Sequence, residues 1–159
     1  VSINLKKGDI ICLSGDLGSG KTTFSRYLIN FIYQNQNKEP PNIIKSPSFP
    51  ILLTYELNNL EIYHYDLYRI SKSSELVHLN IFEELNNSIT LFEWPEIILD
   101  SIQNYNYFSI NFDILNENKI FPRRYFYPSA NRFHHIVDYL GSKFKTKSFS
   151  SGTDSKLGN

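Results

Sequence analysis

The chain has 159 residues, of which 41% are hydrophobic and 20% charged, so it suits one folded domain and is not fully disordered. No run approaches eighteen apolar residues, which excludes a membrane-spanning helix, and the single Cys12 excludes an internal disulfide. No secretory signal is recognisable. We therefore expect a reducing, cytoplasmic setting and no membrane partner.

The net charge of zero hides an uneven distribution. Residues 1–117 hold 8 Lys and Arg against 14 Asp and Glu, whereas residues 118–159 hold 8 against 2, so the two parts carry −6 and +6. This difference divides the chain into a predicted domain over 1–118 and a basic, partly disordered extension over 119–159. The sequence has no Met, even at position 1, and we expect a trimmed start or an origin within a longer gene product.

The elements predicted in chain order alternate between strands and helices. An apolar run over 10–14 is typical of a buried parallel strand, and Asn58-Asn59 predicts a turn between two β-rich runs. The predicted strands are 10–14, 51–57, 61–66, 88–93 and 105–115, and the predicted helices are 21–33, one or two short ones over 73–85, and 95–103. This order predicts a three-layer, P-loop NTPase-like α/β fold with a mostly parallel sheet and a β-hairpin elaboration.

A phosphate-binding signature lies between the first strand and the first helix. Residues 15–22 read Gly15-Asp16-Leu17-Gly18-Ser19-Gly20-Lys21-Thr22 and match G-x-x-x-x-G-K-[ST] at every fixed position. Glycines let backbone N–H groups approach phosphate oxygens, and the following helix directs its positive end toward them. We expect Lys21 to reach the β- and γ-phosphates, Thr22 to bind Mg²⁺ and Thr23 to contact the α-phosphate. The alternative, a glycine-rich turn that matches by chance, fits the flanking strand and helix poorly.

Two carboxylates are candidates for the remaining chemistry. Nucleotide hydrolysis needs a carboxylate near Mg²⁺ and a group that orients water. Glu93 and Asp66 each end a predicted strand, and α/β sheets bind ligands at the carboxyl ends of parallel strands. The alternative for each is an exposed side chain with no role in a site. His64, two residues before Asp66, is expected to be a hydrogen-bonding structural residue rather than a proton shuttle.

Four segments in order resemble the TsaE family, the bacterial ATPase subunit of the tRNA threonylcarbamoyladenosine machinery. They are Gly-Asp-Leu-Gly-Ser-Gly-Lys-Thr-Thr (15–23), Lys-Ser-Pro-Ser-Phe (45–49), His-Tyr-Asp-Leu-Tyr-Arg (64–69) and Leu-Phe-Glu-Trp-Pro-Glu (91–96). The first segment is common to many NTPases, whereas the last two behind it are specific. The likeness covers residues 3–117.

The resemblance implies ATP and Mg²⁺ as cofactors and assigns roles residue by residue. Lys21 and Thr22 keep their phosphate and Mg²⁺ roles. Glu93 resembles the second Mg²⁺ ligand, and Asp66 resembles the residue that positions the attacking water. The implied catalytic set is therefore Asp66, Glu93 and Lys21, and the implied metal ligands are Thr22 and Glu93.

By the same resemblance, residues 46–49 form a switch segment that responds to the γ-phosphate. Ser48 stands where the family usually has Thr, and it keeps the hydroxyl. Trp94 resembles the family's tryptophan beside the nucleotide. The resemblance thus implies an ATP hydrolase, weak without partners, that drives turnover of a complex of the TsaB and TsaD proteins.

Two other function classes stay open from the residues. A small-molecule kinase would need an acceptor pocket and an arginine-rich lid, but residues 1–117 contain only Arg26 and Arg69. A nucleotide-dependent binding module would hold ATP without turnover. Asp66 and Glu93 discriminate between an enzyme and such a module, because a pure binder has no need of a second carboxylate facing the γ-phosphate.

The extension over 119–159 follows the predicted P-loop ATPase domain of 1–118. Its Arg and Lys residues are interspersed with aromatic ones, a pattern used to bind single-stranded nucleic acid. Contact with tRNA is therefore one hypothesis, beside an indirect link through the partner complex. The alternative is a weakly packed extension with coincidental charge. We also predict a short helix over 136–144 and disorder over 148–159.

Overall fold

The computed structural model describes residues 5–115 and 119–125. Its helices are α1 (Lys21–Asn35) and α2 (Ile81–Glu84), with 3₁₀ turns at Ser73–Leu79, Pro95–Ile97 and Leu99–Ile102. Its strands are β1 (Ile10–Gly15), β2 (Leu52–Leu57), β3 (Leu60–Asp66), β4 (Ser88–Glu93), β5 (Tyr107–Leu115) and β6 (Lys119–Tyr125). The helix and the disorder predicted over 136–144 and 148–159 lie outside the described residues.

These strands form one six-stranded sheet in the order β2-β3-β4-β1-β5-β6. The neighbours β3, β4, β1 and β5 run parallel, whereas β2 and β6 pair antiparallel at the two edges. The hairpin of β2 and β3 matches the predicted elaboration. The predicted α/β fold with a mostly parallel sheet is confirmed.

Both faces of the sheet are covered, which produces three layers. Alternation along β1 sends Ile11 and Leu13 toward α1, where they join a core with Leu28. The same alternation sends Ile10 and Cys12 to the opposite face. That second core is completed by buried residues of α2 and the 3₁₀ turns, which are Leu76, Ile81 and Ile102. Burial raises the pKa of the Cys12 thiol well above its usual range, as expected for a small buried hydrophobe.

Three segments differ from the sequence-based expectation. Residues 95–103 form two 3₁₀ turns rather than one helix, and most of 73–85 is also 3₁₀. The strand β6 was not predicted, because Pro122 and two Arg interrupt its pattern. As an edge strand it can accommodate a proline. The sheet therefore continues seven residues past residue 118, where the charge pattern places the end of the domain.

Candidate functional site

The loop between β1 and α1 needs glycine for two different reasons. Gly15 has a φ of 135°, and a Cβ built there would lie 2.3 Å from the carbonyl oxygen of Phe112 on β5. Gly18 and Gly20 have φ values of 77° and 104°, which other residues rarely adopt. A Cβ at Gly18 would meet no atom within 4 Å. Space therefore excludes a side chain at position 15, whereas backbone conformation alone disfavours one at position 18.

A cleft of about 170 Å³ opens above this loop at the carboxyl edge of the sheet. Its walls are Leu17, Gly18, Ser19, Gly20, Lys21, Thr22, Thr23, Ser48, Asp66, Glu93 and Trp94. Every residue that the sequence proposes for the site lines this cleft, except Gly15 and Asp16. Those two residues contribute their backbone carbonyls to Lys21 instead. The cleft brings together segments that lie far apart in the chain, and the individual roles stay predictions.

The Lys21 side chain is folded back onto the loop. Its ammonium donates to the carbonyl oxygens of Gly15 at 2.6 Å and Asp16 at 2.8 Å. It also lies 3.8 Å from the centroid of the Trp94 ring, within cation–π range. Burial lowers the pKa of Lys21, while the nearby carboxylates of Glu93 and Asp66 oppose that shift. Lys21 therefore stabilises the loop and lies beside the space where phosphates are expected.

Glu93 ends β4 and is only 1% exposed. Its Oε2 accepts a hydrogen bond from Thr22 Oγ1 at 2.7 Å. Its Oε1 is contacted by Ser25 Oγ at 3.2 Å and by His64 Nε2 at 2.7 Å. The two residues predicted to bind Mg²⁺ thus meet, although 71 positions separate them.

The donor set at this point fits Mg²⁺. A hydroxyl oxygen and a carboxylate oxygen are hard ligands, and a buried carboxylate is stabilised by a nearby cation. In the part of the chain that the structure describes, no three His, Cys, Asp or Glu side chains form a complete metal cage. Mg²⁺ needs no such cage, because it usually takes one or two protein ligands, phosphates and several waters.

Asp66 lies beside Glu93, since the two are register partners on the parallel strands β3 and β4. Its Oδ2 accepts a hydrogen bond from Ser48 Oγ at 2.5 Å, and its Oδ1 accepts one from the backbone N–H of Tyr68 at 3.0 Å. The side chain is 5% exposed. Ser48 therefore links the predicted switch segment to the carboxylate that the sequence assigns to water positioning.

A second contact fastens the same segment. The Arg69 guanidinium donates to the carbonyl oxygen of Phe49. Two residues after the segment, Ile51 has a φ of 70°, which is unusual for a β-branched residue and marks local backbone strain. Phe49 itself is 89% exposed. The segment is thus tied to the end of β3 by two polar contacts and bounded by a strained turn.

Trp94 follows Glu93 in a left-handed conformation, with a φ of 57°. Its N–H donates to the carbonyl oxygen of Leu13 at 3.1 Å, which fixes the turn against β1. The ring contacts both the Lys21 ammonium and the ring of Tyr68, whose centroid is 4.8 Å away. This turn holds the aromatic side chain over the cleft.

Sequence reasoning missed two contacts of the site. The sequence predicts that His64 forms a structural hydrogen bond but does not identify its partner, and it gives no role to Ser25; both residues contact Glu93. The period of two along β3 contained the signal for His64, because residues 64 and 66 of one strand share a face. For Ser25, the signal was its position one helical turn after Lys21, whose carbonyl oxygen it also contacts at 3.1 Å.

A family model and individual known proteins of the same name both match this sequence. The model of the family described as "Threonylcarbamoyl adenosine biosynthesis protein TsaE" matches residues 1–124. Proteins named "tRNA threonylcarbamoyladenosine biosynthesis protein TsaE" from Rickettsia felis and Rickettsia typhi are each 43% identical over 117 residues. Each alignment covers 73% of this chain, with 64% of the first relative and 76% of the second. The chain therefore spans a little less than two thirds of the Rickettsia felis protein.

A less similar sequence and a solved structure also match this chain. The protein of that name from Bacillus subtilis is 33% identical over 97 residues, which cover 61% of this chain and 57% of the relative. The solved structure of Bacillus subtilis YdiB is 22% identical and superposes with a TM-score of 0.53, covering 90% of this chain and 83% of that one. This structural likeness supports the fold. No helix within the described residues combines the length and apolar character needed to cross a membrane.

Proposed function

The chain belongs to the TsaE family, and from this premise we propose that it is a Mg²⁺-dependent ATPase of the tRNA threonylcarbamoyladenosine machinery. Binding and hydrolysis of ATP would drive turnover of a TsaB–TsaD partner complex. The observation that carries the proposal is the meeting, in one cleft, of the phosphate loop, the Thr22–Glu93 pair and Asp66. A loop alone would support nucleotide binding, whereas the two carboxylates add the groups that hydrolysis requires.

Different residues of the cleft would bind the metal and the phosphate oxygens. Thr22 and Glu93 would hold Mg²⁺, which when bound would neutralise charge on the β- and γ-phosphates. Lys21 would exchange the carbonyl oxygens of Gly15 and Asp16 for phosphate oxygens. These are stronger acceptors because they are charged. The loop N–H groups and the start of α1 would bind the remaining phosphate oxygens.

Asp66 and Ser48 would prepare the nucleophile. As an acceptor, the Asp66 carboxylate can orient a water molecule toward the γ-phosphate. Its second oxygen is held by the N–H of Tyr68, which limits rotation of the carboxylate. Ser48 can leave Asp66 for a phosphate oxygen, and residues 46–49 would then sense whether the γ-phosphate is present.

The arginines count against the kinase alternative. A kinase lid supplies guanidinium groups to the transferred phosphoryl group. Arg26 donates through Nε to the carbonyl oxygen of Ile44, and Arg69 donates to Phe49. Both arginines that the sequence holds before residue 118 are thus engaged with backbone carbonyls, and neither lines the cleft.

The direct experiment measures phosphate release from ATP and Mg²⁺, with and without the TsaB–TsaD pair. We expect slow release alone, stimulation by the pair, and loss of both in Glu93→Gln, which keeps the size of the side chain. Glu83→Gln is the matched control, because Glu83 is an exposed carboxylate on α2 and lies outside the cleft. Release that the pair does not change would detach the chain from that complex.

A second variant separates an enzyme from a binding module. Asp66→Asn should abolish phosphate release while nucleotide affinity stays within a few fold of the parent protein, because Asp66 faces the expected water rather than the loop. If the parent protein binds ATP tightly and releases no phosphate in any mixture, the binding-module alternative is correct.

The predicted contact between the basic extension and tRNA has its own test. The chain is best shortened after Tyr125, because β6 belongs to the sheet. Loss of the basic residues beyond that point should weaken tRNA binding and reduce its dependence on salt concentration. Unchanged affinity and unchanged salt dependence would rule out a contact through residues 126–159.

A further inference from the structure

We infer that His64 is a positioning residue for the metal site: its Nε2–H holds Glu93 Oε1, so that Oε2, on the Thr22 side, is the oxygen presented to Mg²⁺. This inference rests on the proposed function, since it concerns the same nucleotide site. It assigns to the histidine a part in metal binding without placing it among the ligands.

The sheet brings the two side chains together. His64 pairs with Leu91 in the β3–β4 register, and Asp66 pairs with Glu93. His64 and Glu93 are therefore diagonal neighbours on one face of a parallel pair, within reach of long side chains. The Nε2–Oε1 distance is 2.7 Å, and the residues are 0% and 1% exposed. Such a short contact away from water resists exchange with solvent.

Among the hydrogen-bond donors to the Glu93 carboxylate, His64 is the main donor to Oε1. Thr22 contacts Oε2, the opposite oxygen of the carboxylate. Ser25 Oγ lies 3.2 Å from Oε1 but also 3.1 Å from the carbonyl oxygen of Lys21, and a hydroxyl has one proton to donate. A carboxylate only accepts, so Nε2 carries the proton of the His64 contact. Oε1 is thus held mainly by the imidazole.

The second ring nitrogen supports the assignment. Nδ1 of His64 is buried and has no hydrogen-bond partner among the described residues. Leaving a buried polar atom without a partner is unfavourable. The contact with Glu93 is therefore the polar interaction that this buried ring makes in the described part of the chain, and packing alone would be served better by an apolar residue.

The loss of this donor should weaken metal binding specifically. Without it, Oε1 keeps only the Ser25 hydroxyl, which is shared with the carbonyl oxygen of Lys21, so the Glu93 carboxylate can rotate about its last side-chain bond. The ligand oxygen would then be poorly oriented toward the cleft. Partners that orient a metal ligand typically contribute about ten- to a hundredfold in metal affinity. His64 does not line the cleft above the loop, so phosphate binding without the metal should be kept.

The test compares His64→Asn with His64→Gln, because the Gln amide nitrogen reaches approximately as far as Nε2 and that of Asn falls short. ADP affinity is measured by calorimetry, once with Mg²⁺ and once with EDTA, and the ratio gives the enhancement by Mg²⁺. We expect His64→Asn to reduce this enhancement about ten- to a hundredfold, with ADP affinity in EDTA unchanged. His64→Gln should keep the enhancement within about threefold of the parent protein.

The outcomes separate this inference from the proposed function. If the parent protein binds ADP equally well in Mg²⁺ and EDTA, the proposed metal site fails, and the assignment of His64 fails with it. If the parent protein shows enhancement and His64→Asn keeps it, only the assignment of His64 is overturned. A folded His64→Gln protein without enhancement overturns it as well, and this reading holds even if His64→Asn does not fold.

Discussion

Replacement of Gly15 by Ala tests whether the loop between β1 and α1 is built around a contact with β5. Gly15 pairs with Phe112 in the parallel register, and a Cβ at position 15 would lie 2.3 Å from the carbonyl oxygen of Phe112. It would also lie 2.9 Å from Ser19 Oγ. The carbonyl belongs to the backbone of a strand within the sheet, so it cannot move aside without disturbing the pairing of β1 and β5.

Two costs combine in Gly15→Ala. A residue other than glycine held at a φ of 135° costs about 1–3 kcal/mol, and overpacking typically costs about 1–3 kcal/mol more. The expected loss in the free energy of unfolding is therefore about 2–6 kcal/mol. Gly18→Ala is the matched control, since its φ is 77° but no atom lies within 4 Å of the added Cβ. That variant should lose about 1–2 kcal/mol.

Urea unfolding without nucleotide measures both losses, so that ligand binding does not enter the comparison. The expected order is a large loss for Gly15→Ala and a small one for Gly18→Ala, with similar slopes against urea concentration. If both variants lose the same free energy, the contact with Phe112 has no special weight. A Gly15→Ala protein within about 1 kcal/mol of the parent would refute the reasoning outright.

Three further predictions concern the core and the cleft. Burial raises the pKa of the Tyr65 phenol above its usual value of 10.0, so stability should fall as the pH rises past 10.0. In Tyr65→Phe this decline should be smaller, by up to about 1.4 kcal/mol per pH unit. Urea unfolding at several alkaline pH values measures the decline in both proteins, and equal declines would contradict the prediction. Ser48→Ala should lower phosphate release about tenfold because the switch segment loses the hydroxyl that would leave Asp66 for the γ-phosphate, while Ser48→Thr should retain release. Binding of ADP with Mg²⁺ should change the fluorescence emission of Trp94, the single Trp, because Lys21 leaves its ring. Lys21→Met should abolish this change. A constant emission spectrum while calorimetry detects binding would contradict the prediction.

Local pattern was enough to predict the centre of the fold. The apolar run before Gly15 and the helical spacing of Phe24, Leu28 and Ile32 predicted β1 and α1 to within two residues at each end. These elements have strong patterns because each is buried on the face that the periodicity marks. The predicted strands 61–66 and 88–93 likewise correspond to β3 and β4.

Weaker patterns failed where packing decides the conformation. A helix of nine residues over 95–103 is too short to be stable by itself. The left-handed turn at Trp94 and the burial of Ile98 and Ile102 against the sheet produce two 3₁₀ turns instead. The strand β6 forms because β5 offers an open edge, although Pro122 obscures the strand pattern of its own sequence.

The glycine-rich loop over 15–22 and the two acidic residues at strand ends could be recognised from the chain alone, because motif spacing and the period of two are local properties. What meets these residues depends on the fold. Thr22 and His64 reach Glu93 across 71 and 29 positions, and the order and register of the strands set which oxygen each one contacts. A side-chain hydrogen bond depends on distance and angle in space, and these are set by strand pairing rather than by position along the chain.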